Sequence, residues 1–165
     1  MGDTVEVFIG VGSNVDRERH IRAGLDALVR TFGELRVSPV YESEAVGFDG
    51  SPFFNLVVGL YTDKTVAELS QCLKAIEVEH GRRPDAKRFS PRTLDLDILT
   101  YGDLDRPRDG VDIPRAEILD NAFVLRPLAD LAGDRTHPLD GRSYRELWNA
   151  YRSGQKLWPA DFRWR

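Results

Sequence analysis

The stretch Thr93-Leu-Asp-Leu-Asp-Ile-Leu-Thr-Tyr101 alternates apolar and polar residues through its first half and is rich in β-formers, which predicts a strand. Leu94, Leu96 and Ile98 then share one face, and Asp95 and Asp97 share the other. Carboxylates at i and i+2 stand with their Cα atoms roughly 6–7 Å apart. At an effective dielectric near 20 two such charges repel by about 3 kcal/mol. A hard divalent cation between them reverses that sign, and Mg²⁺ is commonly held by one or two carboxylates together with substrate phosphates. The plain alternative is a half-exposed strand whose polar side faces water. The preceding segment favours the first reading: Arg82, Arg83, Lys87, Arg88 and Arg92 are opposed there only by Asp85. A cationic loop running into paired carboxylates suits a phosphate-rich, metal-bound ligand.

The rest of the chain narrows the field. Its 165 residues suit one domain, 1–165, with a sizeable core. The net charge of −4 argues against a nucleic-acid binder, so the basic segment is a local feature suited to a small anion. Cys72 is the only cysteine, which excludes an intrachain disulfide and a cysteine zinc site. His20, His80 and His137 have no metal-ligand spacing and read as surface or packing residues. With no apolar run long enough to span a membrane and no signal-peptide core, a cytoplasmic monomer is expected.

Taken in order, Val5 to Gly12 reads as a buried strand and Asp16 to Phe32 as a helix with Ile21, Leu25 and Leu28 on its apolar face. Gly10-x-Gly12 before a helix resembles a dinucleotide-binding turn, but Val15 stands where the third glycine belongs. Leu35 to Tyr41 reads as a second strand interrupted by Pro39, at an edge or a bulge. Ser43 to Pro52 is a loop, and Phe53 to Thr62 a third strand with Phe53, Asn55 and Val57 on one face. Asn55 offers amide hydrogen bonds beside the Phe53 ring, or else bonds its own backbone at a strand end. Thr65 to His80 is a helix opened by a Thr65/Glu68 capping box. A polar stretch with a short hairpin follows Tyr101. A short helix is expected over Pro114 to Leu119, a partly helical apolar element over Phe123 to Leu131, and a helix over Ser143 to Tyr151 capped by Ser143 and Glu146. The tail from Lys156, with Trp158, Phe162 and Trp164, either folds back or contacts another subunit. The order strand, helix, strand, strand, helix, strand predicts an α+β fold: a ferredoxin-like βαββαβ core, an antiparallel sheet with helices packed on it, and C-terminal additions.

Gly12-Ser13-Asn14, Asn55, Gly81-Arg82, Phe123-Val-Leu-Arg-Pro-Leu and above all Ser90-Pro-Arg-Thr-Leu-Asp-Leu-Asp-Ile-Leu resemble the 6-hydroxymethyl-7,8-dihydropterin pyrophosphokinases of folate synthesis, in the same order over nearly the whole chain. The resemblance implies transfer of pyrophosphate from ATP to the pterin hydroxymethyl group, with two Mg²⁺ ions on Asp95 and Asp97. By the same resemblance Arg82 and Arg92 contact the phosphates. Phe53 and Phe123 sandwich the pterin, whose edge meets Ser43, Asn55 and the backbone near Val46. Glu77, Arg88, Phe89, Arg92, Ile98 and Arg115 line the nucleotide site. Four positions depart from the family's usual residues. Arg115 replaces a His, Asn121 an Arg, Pro84 a frequent basic residue, and Gly110 the Arg of some members. All four fall on the ATP side, which leaves a second reading: a pterin-binding paralogue with weak or no ATP-dependent activity. A third is another two-metal phosphotransferase using the same Asp pair.

Overall fold

The structure, a computed structural model, describes residues 3–44, 50–81 and 93–164. Its elements run β1 (Val5–Ser13), α1 (Arg17–Phe32), β2 (Arg36–Val37), β3 (Tyr41–Ser43), β4 (Phe53–Thr62), α2 (Val66–Glu79), β5 (Asp95–Tyr101), α3 (Glu117–Asp120), α4 (Ala122–Ala132), α5 (Tyr144–Ala150) and β6 (Leu157–Pro159). The strands form one antiparallel sheet in the order β5-β1-β4-β3-β6, with β2 also on β4. With β2 and β3 counted as one interrupted strand, this is the expected βαββαβ core.

The interruption has a local cause. Pro39 has no N–H to give to a ladder. Ser38 bridges the gap: its N–H donates to the Val57 carbonyl at 2.9 Å, and its hydroxyl accepts from Val57 N–H at 2.8 Å. The edge therefore stays fixed to β4 while the chain steps from β2 to β3.

Both faces of the sheet are covered. Val7, Ile9, Val11, Leu56, Val58, Leu94, Leu96 and Ile98 pack against Ile21, Leu25 and Leu28 of α1 and Leu69, Leu73 and Ile76 of α2. On the other face Phe8, Val57 and Leu99 pack against Ile118 of α3, Val124, Leu125 and Leu128 of α4, and Tyr144 and Leu147 of α5. Leu99 joins this second core by simple alternation from Asp95 and Asp97; the β1–β5 register then shifts between Phe8 and Ile9, a bulge after which Tyr101 packs on the α1/α2 side. Capping boxes start α2 and α5, through Thr65/Glu68 and Ser143/Glu146 as expected. The predicted hairpin is a tight turn closed by paired Arg108–Val111 backbone bonds at 2.9 and 3.0 Å. Asp109 and Gly110 both have positive φ there, so a glycine suits the second position.

The aromatic tail folds back on its own chain. β6 extends the sheet beyond β3, and Ala160, Phe162 and Trp164 pack against the α1/α2 core.

Candidate active site

The second face of the sheet gathers most of the described polar residues singled out from sequence. Register alone places them. Asp95 lies opposite Gly12 and Asp97 opposite Gly10 across β1–β5. Gly12 in turn lies opposite Asn55, and Asn55 opposite Tyr41, with Phe53 opposite Ser43. Directly paired residues share a face, so Asp95, Gly12, Asn55 and Tyr41 form one row across four strands. Asp97 and Gly10 stand in the next row on one side, and Phe53 and Ser43 on the other.

Gly12 brings no side chain to this row, and it is itself buried. A Cβ built there would lie 3.4 Å from Asn55 Oδ1 and 3.8 Å from a Phe53 ring carbon. At Gly10, which is partly exposed, a Cβ would meet Leu99 Cδ2 at 3.3 Å. Glycine at position 12 puts no side chain between Asp95 and the amide of Asn55.

Asn55 and Ser43 make one polar unit. Asn55 Nδ2 donates to Ser43 Oγ at 2.7 Å, and both residues are buried. That bond uses one amide hydrogen and one hydroxyl lone pair. It leaves Asn55 Oδ1 as an acceptor beside Gly12, and the Ser43 hydroxyl hydrogen as a donor. The approach to Phe53 is pinned from below: Asn14 Nδ2 donates to the Ser51 carbonyl at 3.1 Å, and Arg17 Nη1 to the Pro52 carbonyl at 3.0 Å. Phe123 stands at the second position of α4, half-buried against the second core.

At the other end Asp95 and Asp97 are half-buried on β5. Burial first, and then the charge of Asp95, push the Asp97 carboxyl well above the usual carboxylate range; Arg115 opposes them. Arg115 Nη2 is 3.7 Å from Asp97 Oδ1, and the same guanidinium pairs with Glu117 at 2.8 Å. Its backbone N–H donates to the Leu99 carbonyl at 2.9 Å, tying the segment before α3 to β5. Two hard oxygen donors on one face, beside a glycine and with Arg115 as the cation near Asp97 among the described residues, fit a hard divalent cation completed by water or phosphate oxygens. No cluster of three or more His, Cys, Asp or Glu suited to a metal occurs among the described residues, so those residues offer this pair and no closed cage.

Two nucleotide-site expectations sit differently. The Ile98 side chain is buried in the α1/α2 core, on the opposite face from Asp95 and Asp97. Its backbone belongs to β5, the end strand of the sheet order. Glu77 is buried at the end of α2, where Oε2 accepts from Leu96 N–H at 2.8 Å and so caps that same edge. The expectations for Val46, Arg82, Pro84, Arg88, Phe89 and Arg92 lie outside the described residues. Asn121, a departure from the family pattern, is held in protein contacts: Nδ2 donates to Glu117 at 3.3 Å, and Oδ1 accepts from Gln155 at 2.8 Å.

Sequence reasoning missed the surroundings of Tyr41. Its hydroxyl contacts Asp130 and accepts from Arg126 Nε at 3.0 Å, which ties β3 to α4 beside the Asn55–Ser43 pair. Two-residue alternation back from Ser43 would have put Tyr41 on this face had the strand been carried on to Ser43 rather than ended at Tyr41. Glu117 and Gln155 carried no comparable signal.

Comparison with known proteins is consistent with this geometry. The family model described as 7,8-dihydro-6-hydroxymethylpterin-pyrophosphokinase matches residues 8–133. The chain is 45% identical over 148 residues to a Pseudomonas aeruginosa 2-amino-4-hydroxy-6-hydroxymethyldihydropteridine pyrophosphokinase, covering 86% of this chain and 88% of that one. It is 34% identical over 129 residues to the Bacillus subtilis protein of the same name, covering 75% and 76%. Against a folate synthesis bifunctional protein of Arabidopsis thaliana it is 38% identical, but spans 30% of that chain. A solved structure of wild-type Plasmodium falciparum HPPK-DHPS with pteroate superposes with TM-score 0.69 at 15% identity, over 90% of this chain and 42% of that one. At that identity the likeness shows the fold, and this chain spans less than half of the solved protein.

Proposed function

The chain belongs to the 7,8-dihydro-6-hydroxymethylpterin-pyrophosphokinase family, and from that premise we propose that the open row on the second face of the sheet is where it transfers pyrophosphate from ATP to 6-hydroxymethyl-7,8-dihydropterin. The reaction is that of an ATP-dependent diphosphotransferase of folate biosynthesis, with ATP as co-substrate and AMP as the second product. The observation that carries the site reading is the row itself. An amide–hydroxyl pair for a heterocycle edge and a carboxylate pair for a metal polyphosphate face each other across a glycine.

Phosphoryl-type transfer needs little covalent help from a protein. It needs in-line positioning and neutralised charge. In this reading Asn55 Oδ1 accepts from the pterin amino and ring N–H donors, and the Ser43 hydroxyl donates to a ring acceptor. Phe53 and Phe123 supply the stacking faces, which sets the hydroxymethyl oxygen toward β5. Asp95 and Asp97 hold Mg²⁺, two ions in our reading, which neutralise charge on the polyphosphate when bound. Arg115 adds positive charge beside Asp97, and the basic segment Arg82, Arg88 and Arg92 is assigned to the phosphates. We take residues 1–165 as one catalytic unit acting as a cytoplasmic monomer. Among the described residues no helix is long and apolar enough to cross a membrane.

The paralogue reading is not favoured. The departures that motivated it leave 45% identity over most of a named pyrophosphokinase, and Arg115 keeps a cation beside Asp97. The test is turnover with ATP, Mg²⁺ and the pterin, the nucleotide products being separated, for wild type and for Asp95→Ala. Wild type is expected to give pterin-dependent AMP, and the variant none above background at an unchanged circular dichroism spectrum. Comparable AMP from both would remove β5 from the chemistry.

A further inference from the structure

The two walls of the proposed pterin cleft belong to elements that are far apart in the chain: β3, which carries Ser43, and the first turn of α4, which carries Phe123. One short segment touches both. Gln155 Oε1 accepts from Ala122 N–H at 2.7 Å, and its Nε2 donates to Asn121 Oδ1 at 2.8 Å and to the Asp120 carbonyl at 3.4 Å. Three bonds from one carboxamide thus fix the start of α4, next to Phe123. Two residues later β6 begins. Leu157 pairs with Ser43, Trp158 with Glu42 and Pro159 with Tyr41, and Ala160 N–H donates to the Val40 carbonyl at 2.9 Å.

The far end is fastened on the opposite face of the sheet. Phe162 packs edge-on to Phe54 with centroids 6.1 Å apart. Arg22 Nε donates to the Arg163 carbonyl at 2.7 Å, and Trp164 Nε1 donates to Asp26 at 2.9 Å. The segment is therefore held at α4, along β3 and on α1 in turn. Two residues of extended chain span at most about 7 Å, so the start of α4 and β3 cannot part further without breaking one of the first two attachments.

We propose that Gln155 is a positioning residue for the pterin. Together with β6, it sets the distance between the Phe123 wall and the Ser43–Asn55 wall of the cleft. The inference rests on the site reading above but assigns a role to residues outside it. Gln155 touches no reacting atom; it acts through Phe123. It also predicts an asymmetry. Loosening the start of α4 weakens pterin binding through the adjacent Phe123 more than nucleotide binding, which Gln155 reaches only by way of Asn121, Glu117 and Arg115.

The experiment measures the pterin dissociation constant by fluorescence titration without ATP, and KM for each substrate, in wild type, Gln155→Ala, Lys156→Ala and Asn55→Ala. Gln155→Ala is expected to raise the pterin Kd and pterin KM about ten-fold, with KM for ATP within two-fold of wild type. Lys156→Ala, exposed and between the two attachments, is expected to change neither. Equal effects of Gln155→Ala on both substrates, or a lowered thermal midpoint with an unchanged pterin Kd, would overturn the positioning role. Asn55→Ala separates the two levels. If it leaves the pterin Kd unchanged the site reading fails; if it weakens binding while Gln155→Ala does not, only the present inference fails.

Discussion

Replacing Asp97 by Asn is expected to stabilise the ligand-free fold while abolishing turnover. Asp97 stands two residues from Asp95 on one face of β5, roughly 6–7 Å away at Cα. Burial and the Asp95 charge hold its carboxyl above the ordinary range, and Arg115 at 3.7 Å opposes them without winning. A carboxyl whose folded pKa is raised binds more protons folded than unfolded. The stability it contributes is present in acid and is lost as pH rises from 3.8, its ordinary value, through the folded value. Above the folded value the ionised pair therefore works against the fold. The bare repulsion is about 2.5–3 kcal/mol at an effective dielectric of 20. The Asp97 side chain is 31% exposed and shares Arg115 with Glu117, so solvent and the cation reduce this to a net of about 1 kcal/mol. For a domain of this size that corresponds to a rise in Tm of roughly 2–4 °C. The assay is thermal unfolding in EDTA at about pH 7.5 and about pH 4, with turnover measured in parallel in Mg²⁺. The rise should shrink at the lower pH, where wild type carries more of the proton that relieves the repulsion, and turnover should fall by about 10³-fold or more. An Asp97→Asn protein that melts below wild type in EDTA at pH 7.5 and keeps turnover within ten-fold would refute the argument.

Ser43→Ala removes the hydroxyl that Asn55 donates to at 2.7 Å and leaves a buried amide hydrogen without its acceptor. The pterin Kd is expected to rise ten- to hundred-fold, read by the same titration, with KM for ATP nearly constant. His137 Nδ1 accepts from Leu139 N–H and Asp140 N–H at 3.1 and 3.0 Å, and burial pushes its pKa below the ordinary value. The unfolded chain then gains a proton first as pH falls below about 6.5. Stability should decline toward acid by up to roughly 1.4 kcal/mol per pH unit until the folded pKa is reached, and His137→Asn should flatten that slope in urea unfolding between pH 7 and 5. Thr65→Ala breaks the α2 capping box and should lower Tm by roughly 2–4 °C, about 1 kcal/mol, while kcat at 25 °C is unchanged.

The core topology was legible because each of its signals is local. Alternation in 93–101 and 53–62 places Asp95, Asp97, Phe53 and Asn55 on definite faces, and Thr65/Glu68 and Ser143/Glu146 mark two helix starts. What failed to show depends on register and on distant partners. The strand expected over 35–41 is interrupted at Pro39 as expected, but it runs on to Ser43, which the sequence reads as loop, and that extension pairs Ser43 with Phe53 beside Tyr41 and Asn55. The bulge opposite Phe8 and Ile9 turns Tyr101 to the α1/α2 side, where alternation alone would have kept it on the face of Asp95, Asp97 and Leu99. The three residues of β6 are too short for any periodic signal, and their pairing is decided by where β3 exposes its edge. The tail's aromatics left two destinations open, and contacts with α1 and Phe54 select the fold-back.

Gly10 and Gly12 join these levels. Read as a dinucleotide turn, they would cradle a phosphate at the start of α1, and the missing third glycine already counted against that. In the fold they lie inside β1, where each costs roughly 0.5–1 kcal/mol relative to a residue with a side chain. Their uses differ. Gly10 lets Leu99 descend onto the sheet and seal the α3–α5 core. Gly12, two residues along the same strand, is itself buried but puts no side chain between Asp95 and Asn55. What lies across from each glycine, Leu99 in one case and the Asn55 amide in the other, decides its use. A strand that carried side chains at both positions would keep its register with β4 and β5, and the carboxylates would still face the same way. In the proposed site reading, a side chain at position 12 would stand where the heterocycle and the polyphosphate are brought together.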